Sequence, residues 1–406
     1  GTGAMTKACR NYTEGKTKEE LIGNIGFGEA VEVDKGLKKK VLITGAGSYI
    51  GQSFIDYAKK YYPENFEIDE LDMMGDAWKE YDFSQYDIIY HVAGIAHADV
   101  GNVSDETKEK YYQVNTDLTI EVVQKAKEEN VKEIIFMSSM IVYGESAPYG
   151  KKKIIDENTI PTPANFYGDS KLQADVAIRE LADDNFKVIV LRPPMIYGKG
   201  SKGNYPVLAK LAKKLPVFPD VDNERSMLYI ENLCEFLCQV MLVRKIRQNA
   251  IVLIPQNAEW TNTSAMVKQI ANISGKKIAG LKVMRPAVAI GGKMPGKIGG
   301  LINKAFGNNC YAHELSKYQG IDYQKSTLEE SVKLTEANIV NQKKCVLMLA
   351  SVASMIDQFN MSNIDILLNM GYRVDVACNF GFGSTCSDEK ITELKRKLKE
   401  KGVECY

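Results

Sequence analysis

Short apolar runs alternate with longer segments whose apolar residues recur every three to four positions, and this alternation starts at Lys38 and holds to about residue 254. The runs at 40–44, 66–72, 87–92, 132–138, 187–192 and 250–254 read as strands. Helices are expected between them at about 49–62, 107–129 and 165–183. In the second of these, Tyr111, Val114, Leu118, Val122, Val123 and Ala126 form one apolar stripe, with the charged residues largely opposite. Nearly continuous apolar strands joined by amphipathic helices predict an α/β fold, a doubly wound parallel sheet covered on both faces.

The pattern is weaker on either side. Residues 1–37 are polar and glycine-rich, with at most a short helix around 17–22, and read as an N-terminal extension or linker. After Pro193 glycines and prolines multiply, so the sheet core of about 38–193 is expected to give way to a smaller substrate lobe over about 194–340. Helices are expected there near 230–243 and 328–334, with a pliable glycine-rich stretch at 291–300. A second strand–helix–strand–helix pattern begins at Lys343, so residues 341–406 read as a partial second Rossmann-like βαβ unit. One such unit cannot bury both faces of its strands, so it is expected to dock on something or to be poorly stable alone.

Composition removes several function classes. Lys plus Arg and Asp plus Glu both number 52, leaving no overall field to draw nucleic acid or an anionic membrane. No apolar run reaches the ~18 residues of a membrane span, so no membrane insertion is expected, and with no signal-peptide pattern the expected location is cytoplasmic. The eight cysteines include no Cys-x-x-Cys pair, and Cys234 and Cys238, one helical turn apart, read as core. Three histidines make an imidazole metal site improbable, and no metal is expected.

The chemistry concentrates in a few stretches. In Lys38–Gly51 a buried strand runs into Gly45-Ala46-Gly47-Ser48-Tyr49-Ile50-Gly51 and then a helix. A glycine turn that lets the backbone approach a phosphate, aimed by a helix N-terminus, is how a dinucleotide pyrophosphate is held. Asp72, just past the second strand, suits the adenosine ribose hydroxyls and would repel a 2′-phosphate, which favours NAD over NADP; Asp69, Glu70 and Asp76 are its acidic neighbours. Asp82 and Phe83 are expected at the adenine edge. Further on, Ser139 ends a strand, and Tyr167 and Lys171 lie one helical turn apart on a shared face. A free phenol titrates near ~10, so a tyrosine acting as base near neutrality needs a shift of roughly three units, about 4 kcal/mol, which the Lys171 ammonium and a positive nicotinamide ring would supply.

Together these residues resemble the extended short-chain dehydrogenase/reductase family, specifically its NAD-dependent nucleotide-sugar epimerases and dehydratases, over about 38–337. The resemblance implies a Rossmann-type sheet and NAD as cofactor. It places Val92, Ala93 and Gly94 beside the cofactor, makes Asn115 a helix asparagine steadying the active-site backbone, and gives Lys171 both catalytic and cofactor contacts. Arg192–Gly198 and Gly203-Asn204 resemble the substrate-side loop, with Pro194 at the cofactor. Arg225 resembles the arginine that takes the sugar-nucleotide diphosphate, and Ser139, Met140, Tyr167 and Asn204 complete the expected substrate contacts.

Two departures stand out. Ser48 occupies the place of the family's middle glycine, with Gly47 one position early. Ser139-Met140-Ile141 also lacks the acids that dehydratases use to eliminate water, which favours redox at the sugar C4. The implied activity is a 4-epimerase acting on a UDP-hexose or UDP-N-acetylhexosamine by transient oxidation. The alternatives are a reductase of a UDP-4-keto-6-deoxy sugar and, from another class, a non-catalytic dinucleotide-sensing module. The tail from Val346 resembles the opening of a family-four-like GT-B glycosyltransferase. Its donor-binding half is missing, so no transferase activity is assigned, but a polysaccharide-assembly setting and association with a glycosyltransferase are expected. A homodimer is implied by the family resemblance alone.

Overall fold

A computed structural model describes residues 11–95, 103–294, 297–340, 345–370, 372–381 and 387–406. The chain divides into two units, Gly1–Glu336 and Ala337–Tyr406.

The first unit is built on β1 (Lys39–Thr44), β2 (Phe66–Leu71), β3 (Ile88–His91), β4 (Glu133–Met137), β5 (Lys187–Leu191) and β6 (Ala250–Leu253), all parallel in the order β6-β5-β4-β3-β1-β2. Alternate residues of the central strands feed two separate cores, because successive side chains on a strand point to opposite faces. Val41, Ile43, Tyr90, Ile135 and Ile189 pack with Phe54 and Ala58 of α2 (Tyr49–Tyr61) and with the later apolar helix Ile230–Met241, where Cys234 and Cys238 are fully buried. Leu42, Ile89, Ile134, Phe136 and Val190 pack on the opposite face, against Val122 and Val123 of Leu118–Glu128 and Leu172 and Val176 of Phe166–Arg179. Because β1 neighbours both β2 and β3, the strand order reverses there. The crevice at their carboxyl ends is where an open α/β sheet receives a ligand.

The helix expected over 107–129 consists of α3 (Asp105–Tyr112) and α4 (Leu118–Glu128) joined by a π turn, Gln113–Asp117. Periodicity does not reveal this insertion. It turns Asn115 and Thr116 toward the helix α5 (Phe166–Arg179), where the Thr116 hydroxyl donates to the Ser170 carbonyl at 2.8 Å.

The described part of the segment expected as a linker is built into the sheet edge. Lys18–Ile22 forms a short helix with a reciprocal Thr17–Glu20 capping box. Beyond it, Gly26 N donates to Val252 O and Val252 N to Asn24 O, so the chain pairs parallel to β6 and covers an otherwise open edge. Phe27 lies in the core with its ring against Tyr318.

The second unit has three parallel strands, β7 (Cys345–Val352), β8 (Arg373–Asn379) and β9 (Glu404–Cys405), in that spatial order. Val374, Val376, Ala353, Ile356, Ile391 and Leu394 form its core, while Leu347 and Leu349 on the alternate positions of β7 are exposed. Among the described residues, no helix is long and apolar enough to cross a membrane, and no cluster of His, Cys, Asp and Glu has metal-site geometry.

Candidate active site

The glycine turn closes at the end of β1. Gly45 has φ +119°, and a Cβ there would stand 2.8 Å from the Ala93 amide nitrogen, so only glycine lets β1 lie this close to the chain leaving β3. Val92 and Ala93 are thus placed against the turn. Gly51 faces Ile43 and Ser48 across a similarly tight gap, and α2 passes just above the strand. Ser48 caps α2, its hydroxyl accepting from Gly51 N at 3.2 Å. The departure from the expected glycine pattern therefore serves the helix start, and Tyr49 and Ile50 form its first turn.

The acid brought to the turn is Glu70. It lies opposite Ile43 on β2, accepts the Gly47 amide at 3.0 Å, and is held by the Gln52 amide at 2.6 Å. Asp72 lies past the strand end, is exposed, and accepts from Met74 N in its own turn. Asp82 likewise closes a local turn through Ser84, whose hydrogen bonds hold its carboxyl below the usual range. Phe83 is fully buried beside Trp78 in the α4 core. Of the pair expected at the adenine edge, the Phe83 side chain is thus drawn into the core, while Asp82 is exposed. Replacing Glu70 with alanine should loosen the turn and weaken NAD binding about tenfold; titration of the variant with NAD checks this.

Deeper in the crevice Gly94, Asn115 and Lys171 converge: a Cβ on Gly94 would lie 3.0 Å from Lys171 Nζ and 3.1 Å from Asn115 Oδ1. Asn115 clamps the backbone after β3, accepting from Ile95 N at 2.8 Å and donating to Ile95 O at 3.2 Å and to Ser170 Oγ at 3.2 Å. His91 is sealed between Thr44 and Thr119, and burial, with Lys171 nearby, lowers its pKa to about 3, so it stays neutral. Lys171 is buried, donates to the Met137 carbonyl at 3.1 Å, and lies over the Phe136 ring. It forms no ion pair among the described residues, and burial lowers its pKa to about 8.

Ser139 heads a one-turn helix, Met140–Tyr143, its hydroxyl accepting from Ile141 N at 3.3 Å, and its side chain is near enough to Tyr167 to lower the phenol's pKa. Burial pushes the Tyr167 phenol up to about 12, aided by Tyr111 and opposed by the nearby Ser139 side chain. Asn165 caps α5 and so fixes where Tyr167 and Lys171 face the crevice.

On the substrate side, Met140 is held by Pro193 O through its amide, and its sulfur accepts from Asn309 Nδ2. Pro194 is buried beside it in sequence, and Asn204 opens α6 (Asn204–Lys214). Arg225 donates to Lys304 O at 2.6 Å and lies near Ser146, with no carboxylate paired to it among the described residues. Burial lowers its pKa, the condition of a cation that an incoming anion would relieve. Arg192, expected in the substrate-side loop, is instead fully buried in an ion pair with Asp175. Asn309 and Ser146 were not foreseen, since only long-range pairing of 225 with 309 brings them here.

Residues 41–254 match the family model described as NAD dependent epimerase/dehydratase family. The chain belongs to that family. This member is 27% identical over 284 residues to a UDP-glucose 4-epimerase of Vibrio cholerae, spanning 65% of this chain and 84% of the relative. It is also 27% identical over 278 residues to an N-acetyl-alpha-D-glucosaminyl-diphospho-ditrans,octacis-undecaprenol 4-epimerase of Escherichia coli O157:H7, covering 63% and 78% of the two chains. Its fold is shared with a UDP-glucuronic acid 4-epimerase from Bacillus cereus solved with NAD, at TM-score 0.56 and 17% identity, over 74% of this chain and 98% of that one. NAD is the family's cofactor, and the residues present fit it: Gly47 has φ +70° and open space where a Cβ would stand, in a turn that leads directly into the N-terminus of α2.

Proposed function

We propose that this enzyme is a 4-epimerase of a UDP-hexose or UDP-N-acetylhexosamine that works by transient oxidation at C4. The observation that carries this reading is the grouping of Ser139, Tyr167 and buried Lys171, the last two one helical turn apart, at the crevice bounded by the glycine turn. In the proposed reaction Ser139 accepts the C4 hydroxyl and relays its proton to Tyr167. The Lys171 ammonium, with no carboxylate to neutralise it, favours the phenolate. NAD, when bound, would supply the hydride acceptor and donor that a transient oxidation at C4 requires. Arg225 would hold the diphosphate, and Glu70 the cofactor ribose. No acid stands at Met140 or Ile141, so elimination of water is not served. The activity belongs to surface polysaccharide assembly in the cytoplasm, with the protein acting as a homodimer and associated with a glycosyltransferase.

Incubating purified protein with UDP-glucose or UDP-N-acetylglucosamine, and no added cofactor, should yield the C4 epimers, and NAD should be released on denaturation. Turnover of a 4-keto sugar with NAD(P)H, and no epimer from either substrate, would overturn the epimerase in favour of the reductase.

A further inference from the structure

Arg192 follows β5 directly, and each of its five N–H bonds has an acceptor. Nε and one terminal nitrogen form a two-point contact with Asp175 at 2.8 and 2.9 Å. The remaining donors reach the Tyr143 hydroxyl at 2.8 Å, the Ile22 carbonyl at 3.0 Å and the Leu21 carbonyl at 3.2 Å. Arg179 joins the cluster through Asp175 at 2.9 Å and the same Leu21 carbonyl. Arg192 and Asp175 are fully buried.

These partners belong to the elements that carry the chemistry. Tyr143 ends the turn headed by Ser139, and Asp175 lies on α5 one turn beyond Lys171 and two beyond Tyr167. Pro193, the next residue, accepts the amide of Met140, so the Ser139 turn is gripped at both ends from one point of the chain. The N-terminal segment closes the fourth side with main-chain carbonyls. Gly23 is what lets it approach: its φ is +78°, and a Cβ would lie 2.7 Å from the Arg179 guanidinium and 2.8 Å from Val252.

We infer that Arg192 is a positioning residue that sets the Ser139 turn against the Tyr167–Lys171 helix, and that residues 17–27 of the N-terminal segment are a working part of that device. Only a planar fork of five donors meets this set of acceptors, so lysine cannot replace it. A displacement of about 1 Å between reacting groups costs up to about 10²-fold in rate, which is the scale on which such a brace acts.

The inference rests on the epimerase reading only for its assay. In the full-length protein, Tyr143→Phe and Gly23→Val should each lower kcat about tenfold, and Arg192→Lys about a hundredfold, with KM within twofold of wild type and NAD retained after purification. Tyr143→Phe removes a single hydroxyl and leaves the protein foldable, so it decides the matter if Arg192→Lys does not fold. Wild-type kcat in folded Tyr143→Phe and Gly23→Val, or a KM rise with kcat unchanged, would overturn the inference. If the wild-type protein epimerises neither sugar, the proposed function fails on its own, and the same ratios are measured on reduction of a 4-keto sugar.

Discussion

Tyr167→Phe should lower turnover by about 10³-fold while leaving the fold and the bound cofactor in place. The ring is packed edge-on to Tyr111, and phenylalanine fills the same volume, so the core loses nothing but one hydroxyl. That hydroxyl lies near Ser139 and is the proposed acceptor of the substrate proton. Burial holds it at about 12, so the phenolate is scarce until positive charge gathers beside it. Turnover by wild type should therefore increase with pH over the neutral range, and the residual activity of the phenylalanine variant should lose that dependence. A pH profile of kcat for the two proteins checks both statements; full turnover by Tyr167→Phe would refute the proposed chemistry. Ser139→Ala should cost less, because Tyr167 remains within reach of the sugar.

Lys171→Met is expected to abolish activity and stabilise the protein at the same time. The ammonium is buried, has one carbonyl acceptor and no carboxylate partner among the described residues, and burial lowers its pKa from 10.5 to about 8. The sign follows from linkage: between pH 8 and 10.5 the unfolded chain binds this proton more strongly than the folded one. The cost to the folded state is therefore fully present below about pH 8 and disappears as pH rises toward 10.5. A shift of that size corresponds to about 3 kcal/mol, part of which methionine recovers by filling the space with an uncharged chain. Thermal unfolding should show Lys171→Met above wild type at pH 7, with the gap closing by pH 10, while kcat falls at least about a hundredfold. A destabilised variant at pH 7 would show that Lys171 is held by more than its present contacts. A buried cation kept at a cost to stability is what a site poised to stabilise a phenolate requires.

Both predictions concern residues the sequence alone makes visible, because local rules govern them. Tyr167 and Lys171 share a helix face by spacing, and Ser139 ends an apolar run that is a strand in the structure. Most of the strands were legible for the same reason: the central ones, such as Val41–Ile43, Ile134–Phe136 and Val188–Leu191, are buried short apolar runs. Gly45, Gly47 and Gly51 could be read as a turn before a helix, since no other residue type tolerates that backbone and that closeness. The role of Ser48 as helix cap is also local, although the family pattern drew attention to a phosphate instead.

Other positions were not legible, and the reason is physical in each case. Asp72 and Glu70 differ by two residues and lie in one acidic stretch; which of them meets the glycine turn depends on where β2 stops pairing with β1. Phe83 reads equally well as a pocket wall or as core until the helix packed above it is known. The π turn at Gln113–Asp117 changes no composition and barely disturbs the apolar stripe, yet it decides where Asn115 points. Residues 17–37 are polar enough to pass for a linker, because their contribution is made largely through main-chain hydrogen bonds to the sheet edge, to which side-chain patterns are blind.

By itself the sequence determined the α/β layering, the glycine turn, the order of the strands along the chain, and the spacing of Tyr167 and Lys171 on one helix face. These depend on periodicity and on the chemistry of single residues. Only the tertiary structure decided that Glu70 is the acid at the turn, that Arg225 is half-buried with no carboxylate paired to it among the described residues, and that Arg192 ties the N-terminal segment to the Ser139 turn and α5. Those facts depend on which distant segments come together, and the reach of one side chain to another across the fold is written in no local pattern.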